Sequence, residues 1–193
     1  VNLVYTADDG FTNAAATTIA NVEILNITTT DTDNETVPTA LVQAPITATS
    51  VKTVVVTGDL GIDLTGLTAT TLTSLDASGL TVATADSSFG GLTWLSGALA
   101  AAATVKGSAV GSNTVDFSAA TKAVTYTGGS GADTLNFASA NTQANVITLG
   151  DGANAVNGGT NANGNNTITG GAGVDTIAVG SGNNTINAGA GAD

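Results

Sequence analysis

Between residues 133 and 186 an Asp or Asn is followed six times, two positions later, by an aliphatic side chain: Asp133/Leu135, Asn145/Ile147, Asn154/Val156, Asn166/Ile168, Asp175/Ile177 and Asn184/Ile186. Successive polar members lie 12, 9, 12, 9 and 9 residues apart, and a further 9 leads to Asp193. A unit this short cannot enclose an apolar face of its own, so the units must stack and cover one another's aliphatic residue. Two of them, GGSGADTLN (Gly128 to Asn136) and GGAGVDTIA (Gly170 to Ala178), follow the pattern GGxGxDxUx at every specified position, U being aliphatic. Glycine opens backbone conformations closed to other residues and lets carbonyl oxygens approach an ion. The alternating residues after the Asp form a short strand with U pointing inward.

If two nonapeptides make one turn, alternate loops share an edge. One edge then carries Asp133, Asn154, Asp175 and Asp193, and the other Asn145, Asn166 and Asn184. Only the first edge has full GGxGxD chemistry, and its weak member, LGDGANA, keeps a carboxylate at Asp151. A calcium ion between stacked loops collects about six hard oxygens from carboxylates and carbonyls. The candidate metal ligands are therefore Asp133, Asp151, Asn154, Asp175 and Asp193, with the backbone of Gly129, Gly131, Gly171 and Gly173. Neutral Asn tolerates a left-handed backbone but supplies no charge, so the second edge is expected to form a hydrogen-bonded Asn ladder without ions. Both 12-residue intervals end on members of that edge, Asn145 and Asn166, where the extra residues would bulge.

Composition narrows the alternatives. Fifteen acidic residues against three lysines give the 193-residue chain a net charge of -12, which disfavours nucleic acid and anionic membranes as partners. There is no Arg, no His and no Cys, so phosphate gripping by guanidinium, imidazole proton transfer, disulfides and thiolate metal sites are all excluded. Calcium is the remaining staple for an extracellular fold. Strong helix formers are scarce while Thr and Val suit a pleated surface, so propensity points to strand throughout. No run of 18 apolar residues exists to insert into a membrane. The chain opens on Val1 and stops inside GAGAD, and is read as a piece of a longer polypeptide whose targeting information lies elsewhere.

Upstream of Gly128 short apolar runs of about one strand each recur irregularly: Asn2 to Tyr5, Val22 to Thr28, Lys52 to Thr57, Leu72 to Asp76, Asn113 to Phe117 and Lys122 to Thr127. SLDASG (Ser74 to Gly79) is echoed by TVDFSA (Thr114 to Ala119), as expected of degenerate rungs of one ladder. Residues 29–50, with Asp31, Asp33, Glu35, Pro38 and Pro45, read as a long solvated loop, the acids lacking the glycine of an EF-hand. Residues 89–107 place Leu92, Leu95 and Leu99 on one helical face, ahead of a stop at Lys106 and Gly107. This predicts a helix on the flank of the coil, with Trp94 on an exposed side available to another subunit.

GGSGADTLN and GGAGVDTIA resemble the RTX β-roll, a resemblance covering residues 128–193. The rungs before them, with VEILNIT, VKTVVVTGDLGIDLTGL, LTSLDASGLT and then VTYTGGSGADTL, resemble the calcium-dependent crystalline surface-layer proteins of Gram-negative bacteria, over residues 20–193. The resemblance implies secretion by a type I pathway through a C-terminal signal not present here, a location outside the cell or at its surface, and assembly into a lattice through calcium. It departs from the pattern at the Asn-rich second edge, and segment 89–107 has no counterpart in it.

The expected fold is all-β: a right-handed parallel β-solenoid with irregular rungs over 1–126, carrying loops at 29–50 and 89–107, which runs into an RTX-type β-roll over 127–193, truncated at its C-terminal end. The expected function is structural, in a self-assembling extracellular surface-layer or matrix protein whose partners are copies of itself and whose folding depends on calcium. The alternative is an adhesin module binding a sugar or a surface such as cell-surface polysaccharide, or the non-catalytic β-roll of a secreted enzyme. The Thr pairs Thr47/Thr49, Thr68/Thr70 and Thr125/Thr127 do not recur at one spacing, so no regular Thr array is expected. Catalysis is not expected either. The carboxylate pairs Asp59/Asp63 and Asp8/Asp9 would suit a glycosidase, but no cleft is evident around them.

Overall fold

The computed structural model describes residues 1–8, 15–32, 40–81, 89–137, 141–158 and 164–193. Nineteen strands form three parallel sheets that stack into a β-solenoid, with no α-helix among the described residues. The first and longest sheet takes β1 (Asn2–Ala7), β3 (Ile24–Asp31), β6 (Thr53–Gly58), β9 (Ser74–Leu80), β11 (Ala103–Lys106), β13 (Val124–Thr127), β15 (Val146–Thr148), β17 (Thr167–Ala172) and β19 (Thr185–Ala190), in that order. The second takes β4 (Val42–Gln43), β7 (Ile62–Asp63), β10 (Leu92–Leu95), β12 (Thr114–Phe117), β14 (Thr134–Phe137), β16 (Ala155–Asn157) and β18 (Thr176–Ala178). The third is short: β2 (Thr17–Thr18), β5 (Ile46–Thr47) and β8 (Leu67–Thr68).

The early turns are therefore three-sided. After β8 the third sheet stops and the chain alternates between the first and second sheets only. Turn length does not set the change, since the three-sided turn from Thr53 to Ser74 and the two-sided turn from Ala103 to Val124 pair at the same offset; the later turns place those residues in glycine-rich loops instead of a third strand. Members of the same edge lie 21 residues apart from Asp133 to Asn154 and from Asn154 to Asp175, then 18 apart to Asp193. Two nonapeptides thus make one turn. The bulges expected before Asn145 and Asn166 fall largely on 138–140 and 159–163, outside the described residues.

Side chains alternate in and out with period two, as pleating demands. In the first sheet Leu25, Val54, Leu75, Val105, Tyr126, Ile147 and Ile168 follow one another in register and are all buried. Trp94, Val115, Leu135 and Val156 do the same in the second. Each such burial contributes about 1.5–3 kcal/mol relative to exposure. An aromatic cluster fills the middle turns: Phe117 stacks on Phe137 with centroids 5.1 Å apart and meets Trp94 and Tyr126 edge-on. Of the six aliphatics assigned inward from their shared offset, Leu135, Ile147, Val156 and Ile168 are buried and Ile177 packs half-buried against them. Ile186 is 44 % exposed, because it lies on β19, the outermost strand of its sheet.

Three sequence expectations need correction. Residues 89–107 are not helical: they form β10 and β11, with Leu92 and Trp94 buried and Leu95 40 % exposed. The leucine spacing mimicked a helix, but ladders to β7, β12, β9 and β13 satisfy this backbone instead, and tertiary pairing overrides the alanine propensity. Trp94, expected on an exposed side, is a core residue. Residues 29–50 are not one loop either, since β3 runs to Asp31 and β4 and β5 follow; Asp33, Glu35 and Pro38 lie outside the described residues. Pro45 fits between β4 and β5, where its carbonyl accepts the Thr17 N–H at 2.9 Å.

Threonines do form columns, contrary to the expectation. On the outer face of the first sheet Thr104, Thr125, Val146, Thr167 and Thr185 are in register, beside Thr127, Thr148, Thr169 and Asn187. Thr18, Thr47 and Thr68 align on the third sheet. The echoed segments SLDASG and TVDFSA, by contrast, lie on different sheets. What they share is a turn in which Asp76 and Asp116 accept the N–H of the residue two further on, Ser78 and Ser118, at 3.0 and 2.7 Å.

Candidate metal centre

The first edge consists of the loops that leave first-sheet strands for the second sheet. Its four expected members do converge into one column. The Asp133 N–H donates to Asn154 Oδ1 at 2.8 Å, the Asn154 N–H to Asp175 Oδ1 at 3.0 Å, and the Asp175 N–H to Asp193 Oδ1 at 3.0 Å. Each side chain thereby caps the loop of the preceding turn. The column begins one turn earlier than the repeat pattern suggested, at Asn113, whose N–H and Nδ2 donate to Asp133 Oδ1 at 2.9 and 2.8 Å. Asn113 carries the same signature as the others, an aliphatic two residues on at Val115, but the glycine pattern around it is degenerate.

Glycine is required where these loops touch. Gly150 and Gly152 have φ of +86° and +98°, and a Cβ on either would run into the carbonyls of Gly129 and Gly131 in the preceding turn. Gly171 and Gly173 sit in the same way against Gly150 and Gly152, and Gly189 and Gly191 against Gly171 and Gly173. The result is two columns of closely packed peptide groups beside the column of Asp and Asn side chains. Asp151 lies on the outside of this edge, exposed, and its Oδ1 accepts the Ala172 N–H of the next turn at 3.0 Å.

The electrostatics are unbalanced. Asp133 is completely buried and Asp175 is 3 % exposed. Two of the three lysines are paired elsewhere, Lys52 with Glu23 at 2.6 Å and Lys106 with Asp76 at 2.9 Å, and Lys122 is exposed. Burial pushes the Asp133 carboxyl up to about 6, against hydrogen bonds from Asn113, Tyr126 and Gly129 that pull it down. The Tyr126 hydroxyl donates to Asp133 Oδ2 at 2.9 Å; burial, then the adjacent carboxylate, raise that phenol well above its usual range. Buried carboxylates without a cation are expensive. Calcium, a hard ion that accepts carbonyl and carboxylate oxygens, suits this donor set. Among the described residues no three acidic side chains converge, so carbonyls of Gly129, Gly131, Gly171 and Gly173 would supply much of the coordination. Asp175 and Asp193, in adjacent turns, are the closest pairing of carboxylates in the column.

The second edge forms the expected Asn ladder. The backbone N–H groups of Val124, Asn145 and Asn166 donate to the Oδ1 of Asn145, Asn166 and Asn184 at 3.0, 3.2 and 3.0 Å. Among the described residues no carboxylate enters it. Neither a core cavity of about 10 Å³ beside Ile147 and Ile168 nor a groove of about 220 Å³ between Thr68 and Ser96 is lined by a carboxylate. Asp59 instead accepts the Asp31 N–H and Asp63 the Thr65 N–H, both at 2.8 Å; Asp8 is exposed and Asp9 lies outside the described residues.

No curated protein and no solved structure matches the chain. Residues 160–193 match a family model, the RTX calcium-binding nonapeptide repeat in four copies. The match takes in GGAGVDTIA and the loop ending at Asp193, and leaves out Gly128 to Asn136, where the same pattern recurs in the same edge. Over residues 160–193 the C-terminal turns of this parallel β-solenoid are therefore similar to calcium-binding repeats of the RTX type, and the stacked fold is consistent with an RTX β-roll.

Proposed function

We propose that this chain is a structural module of a secreted, self-assembling surface-layer or matrix protein, folded outside the cell by calcium. The observation that carries the reading is the column of Asp133, Asp175 and Asp193, in which the buried carboxylates of Asp133 and Asp175, and the exposed one of Asp193, are held by N–H groups with no lysine beside them. Without the ion these charges oppose folding; with it they become the fastening of successive turns. A site with a dissociation constant on the order of 0.1 mM gains about 1.4 kcal/mol at millimolar calcium. Three or four such sites together add roughly 4–6 kcal/mol, a large part of the net stability of an ordinary domain, and so can decide the folding equilibrium. The extracellular location rests on the RTX-type repeats, and the structural role on the resemblance of the earlier rungs to surface-layer proteins.

Circular dichroism with and without a chelator tests the calcium dependence, and electron microscopy of the full-length protein after calcium addition tests the assembly. An unchanged β spectrum after chelation would sink the first part, and a dispersed monomer at all calcium concentrations the second. An adhesin is the second reading, favoured by the uncharged columns Thr125/Val146/Thr167/Thr185 and Thr127/Thr148/Thr169. Retention of the folded protein on insoluble polysaccharide, without any assembly, would support it instead.

A further inference from the structure

We propose that the residue closing each loop decides, turn by turn, whether that turn needs an ion: Asn fills the carbonyl cage with its own amide group, whereas Asp leaves the cage for a cation. The inference rests on the calcium reading of the first edge and assigns which turns carry the ions. In the loop ending at Asn154, Nδ2 donates to the carbonyls of Gly150, Asp151 and Gly152 at 3.1, 3.3 and 3.2 Å. Gly150 and Gly152 stand four and two residues before Asn154, as Gly129 and Gly131 do before Asp133, and Gly171 and Gly173 before Asp175.

The same grip recurs wherever Asn closes a loop. Asn184 Nδ2 reaches the carbonyls of Gly180 and Gly182 at 3.2 and 3.5 Å, Asn113 those of Ser108 and Gly111 at 3.2 Å each, Asn166 that of Gly164 at 3.1 Å, and Asn145 that of Gln143 at 3.3 Å. An ionised carboxylate has no hydrogen to offer there, since it only accepts. Both Asp oxygens turn to donors instead: Asp133 to Asn113 and Tyr126, Asp175 to the Asn154 N–H and, at 3.3 Å, the Gly171 N–H. The carbonyls that an Asn amide would gather receive nothing from the Asp. A cation placed among them meets both the carbonyl dipoles and the charge.

Along the first edge the order Asn113, Asp133, Asn154, Asp175, Asp193 thus places a self-sufficient turn between ion-dependent ones. Asn154 acts as an internal substitute for the ion, while Asp133 and Asp175 mark ion sites. Two reciprocal variants test this. Asn154→Asp should bind one calcium more than the parent by equilibrium dialysis, and its ion-free form should melt lower. Asp175→Asn should bind one fewer, and its ion-free form should melt higher than the ion-free parent, because the new amide caps Gly171 and Gly173. An unchanged ion count in Asn154→Asp, or an ion-free Asp175→Asn that melts lower, overturns the inference while leaving calcium-dependent folding intact. A parent that binds no calcium overturns both. Should Asn154→Asp fail to fold at any calcium concentration, the direction of the Asp175→Asn melting shift decides alone.

Discussion

Removing calcium and varying pH should expose Asp133 as a built-in opponent of the ion-free fold. Its carboxyl titrates near 6 in the folded protein, against an ordinary value of 3.8, because burial outweighs the donors around it. Between those two values the folded chain still holds a proton that the unfolded chain has released. The unfolded state then binds fewer protons, so stability falls as pH rises through the window and the full loss is reached above about pH 6. A rise from 3.8 to about 6 corresponds to a loss of about 3 kcal/mol. That is a large fraction of the stability of an ordinary domain.

The assay is denaturant unfolding in metal-free buffer from pH 4 to 7.5, for the parent and for Asp133→Asn. Acid also relieves the repulsion within a chain of net charge -12, so the parent's profile alone does not isolate one group. The difference between the two profiles does. Asp133→Asn should be less sensitive to pH by about 3 kcal/mol across the window, and more stable than the ion-free parent at pH 7.5. With calcium present the sign of the parent's dependence should reverse, because protons then compete with the ion for the same oxygens. Parallel profiles for parent and variant in metal-free buffer would refute the argument, and would mean that water or local relaxation solvates the carboxylate.

Three further outcomes are expected. Ile147→Asp places a charge among Tyr126, Ile168 and Val156 and should lower stability by several kcal/mol in calcium, read by thermal melting. Gly150→Ala, at φ +86° and against the Gly129 carbonyl, should cost on the order of 1–3 kcal/mol and weaken calcium binding by parting the loops, read by melting and by calcium titration. Asn166→Ala removes the acceptor of the Asn145 N–H and the donor to the Gly164 carbonyl, and should cost about 1–2 kcal/mol while the number of bound ions stays the same by equilibrium dialysis.

The C-terminal half of the fold was legible because each nonapeptide states its register twice, once in the loop residue and once in the aliphatic two positions on. Strand, inward face and edge all follow from that offset, and Leu135, Ile147, Val156 and Ile168 lie where it puts them. The N-terminal half offers no such coupling. Its long first-sheet strands β1, β3, β6 and β9 were visible as apolar runs, but β2, β4, β5, β7 and β8 are two residues each, too short for periodicity to register. They exist because neighbouring turns supply their partners. Segment 89–107 shows the same limit from the other side: Leu92, Leu95 and Leu99 fit a helix in isolation, and only the ladders to β7 and β12 decide that Leu92 and Trp94 face inward while Leu95 does not.

On the first edge the alignment of the carboxylates in one column could be read from sequence, but the way they are held could not. Asp133 is fixed by Tyr126 seven residues before it and by Asn113 twenty before it, a pairing that depends on the first and second sheets meeting at this edge. Nothing in the nonapeptide text encodes it. The contacts of Asn are equally hidden in the sequence: its amide oxygen is a weaker donor to an ion than a carboxylate, and the repeat pattern by itself makes Asn154 only the weak member of the ligand set. In the folded edge its oxygen already caps Asp133, and its amide hydrogens occupy the carbonyls an ion would use. Asp and Asn differ here by the sign of what they bring to the same cage, and the alternation of the two keeps Asp133 and Asp175 two turns, or about 10 Å, apart. That spacing lets the chain carry buried charge on one edge without placing each carboxylate directly against the next, until Asp193 follows Asp175 in the final turn.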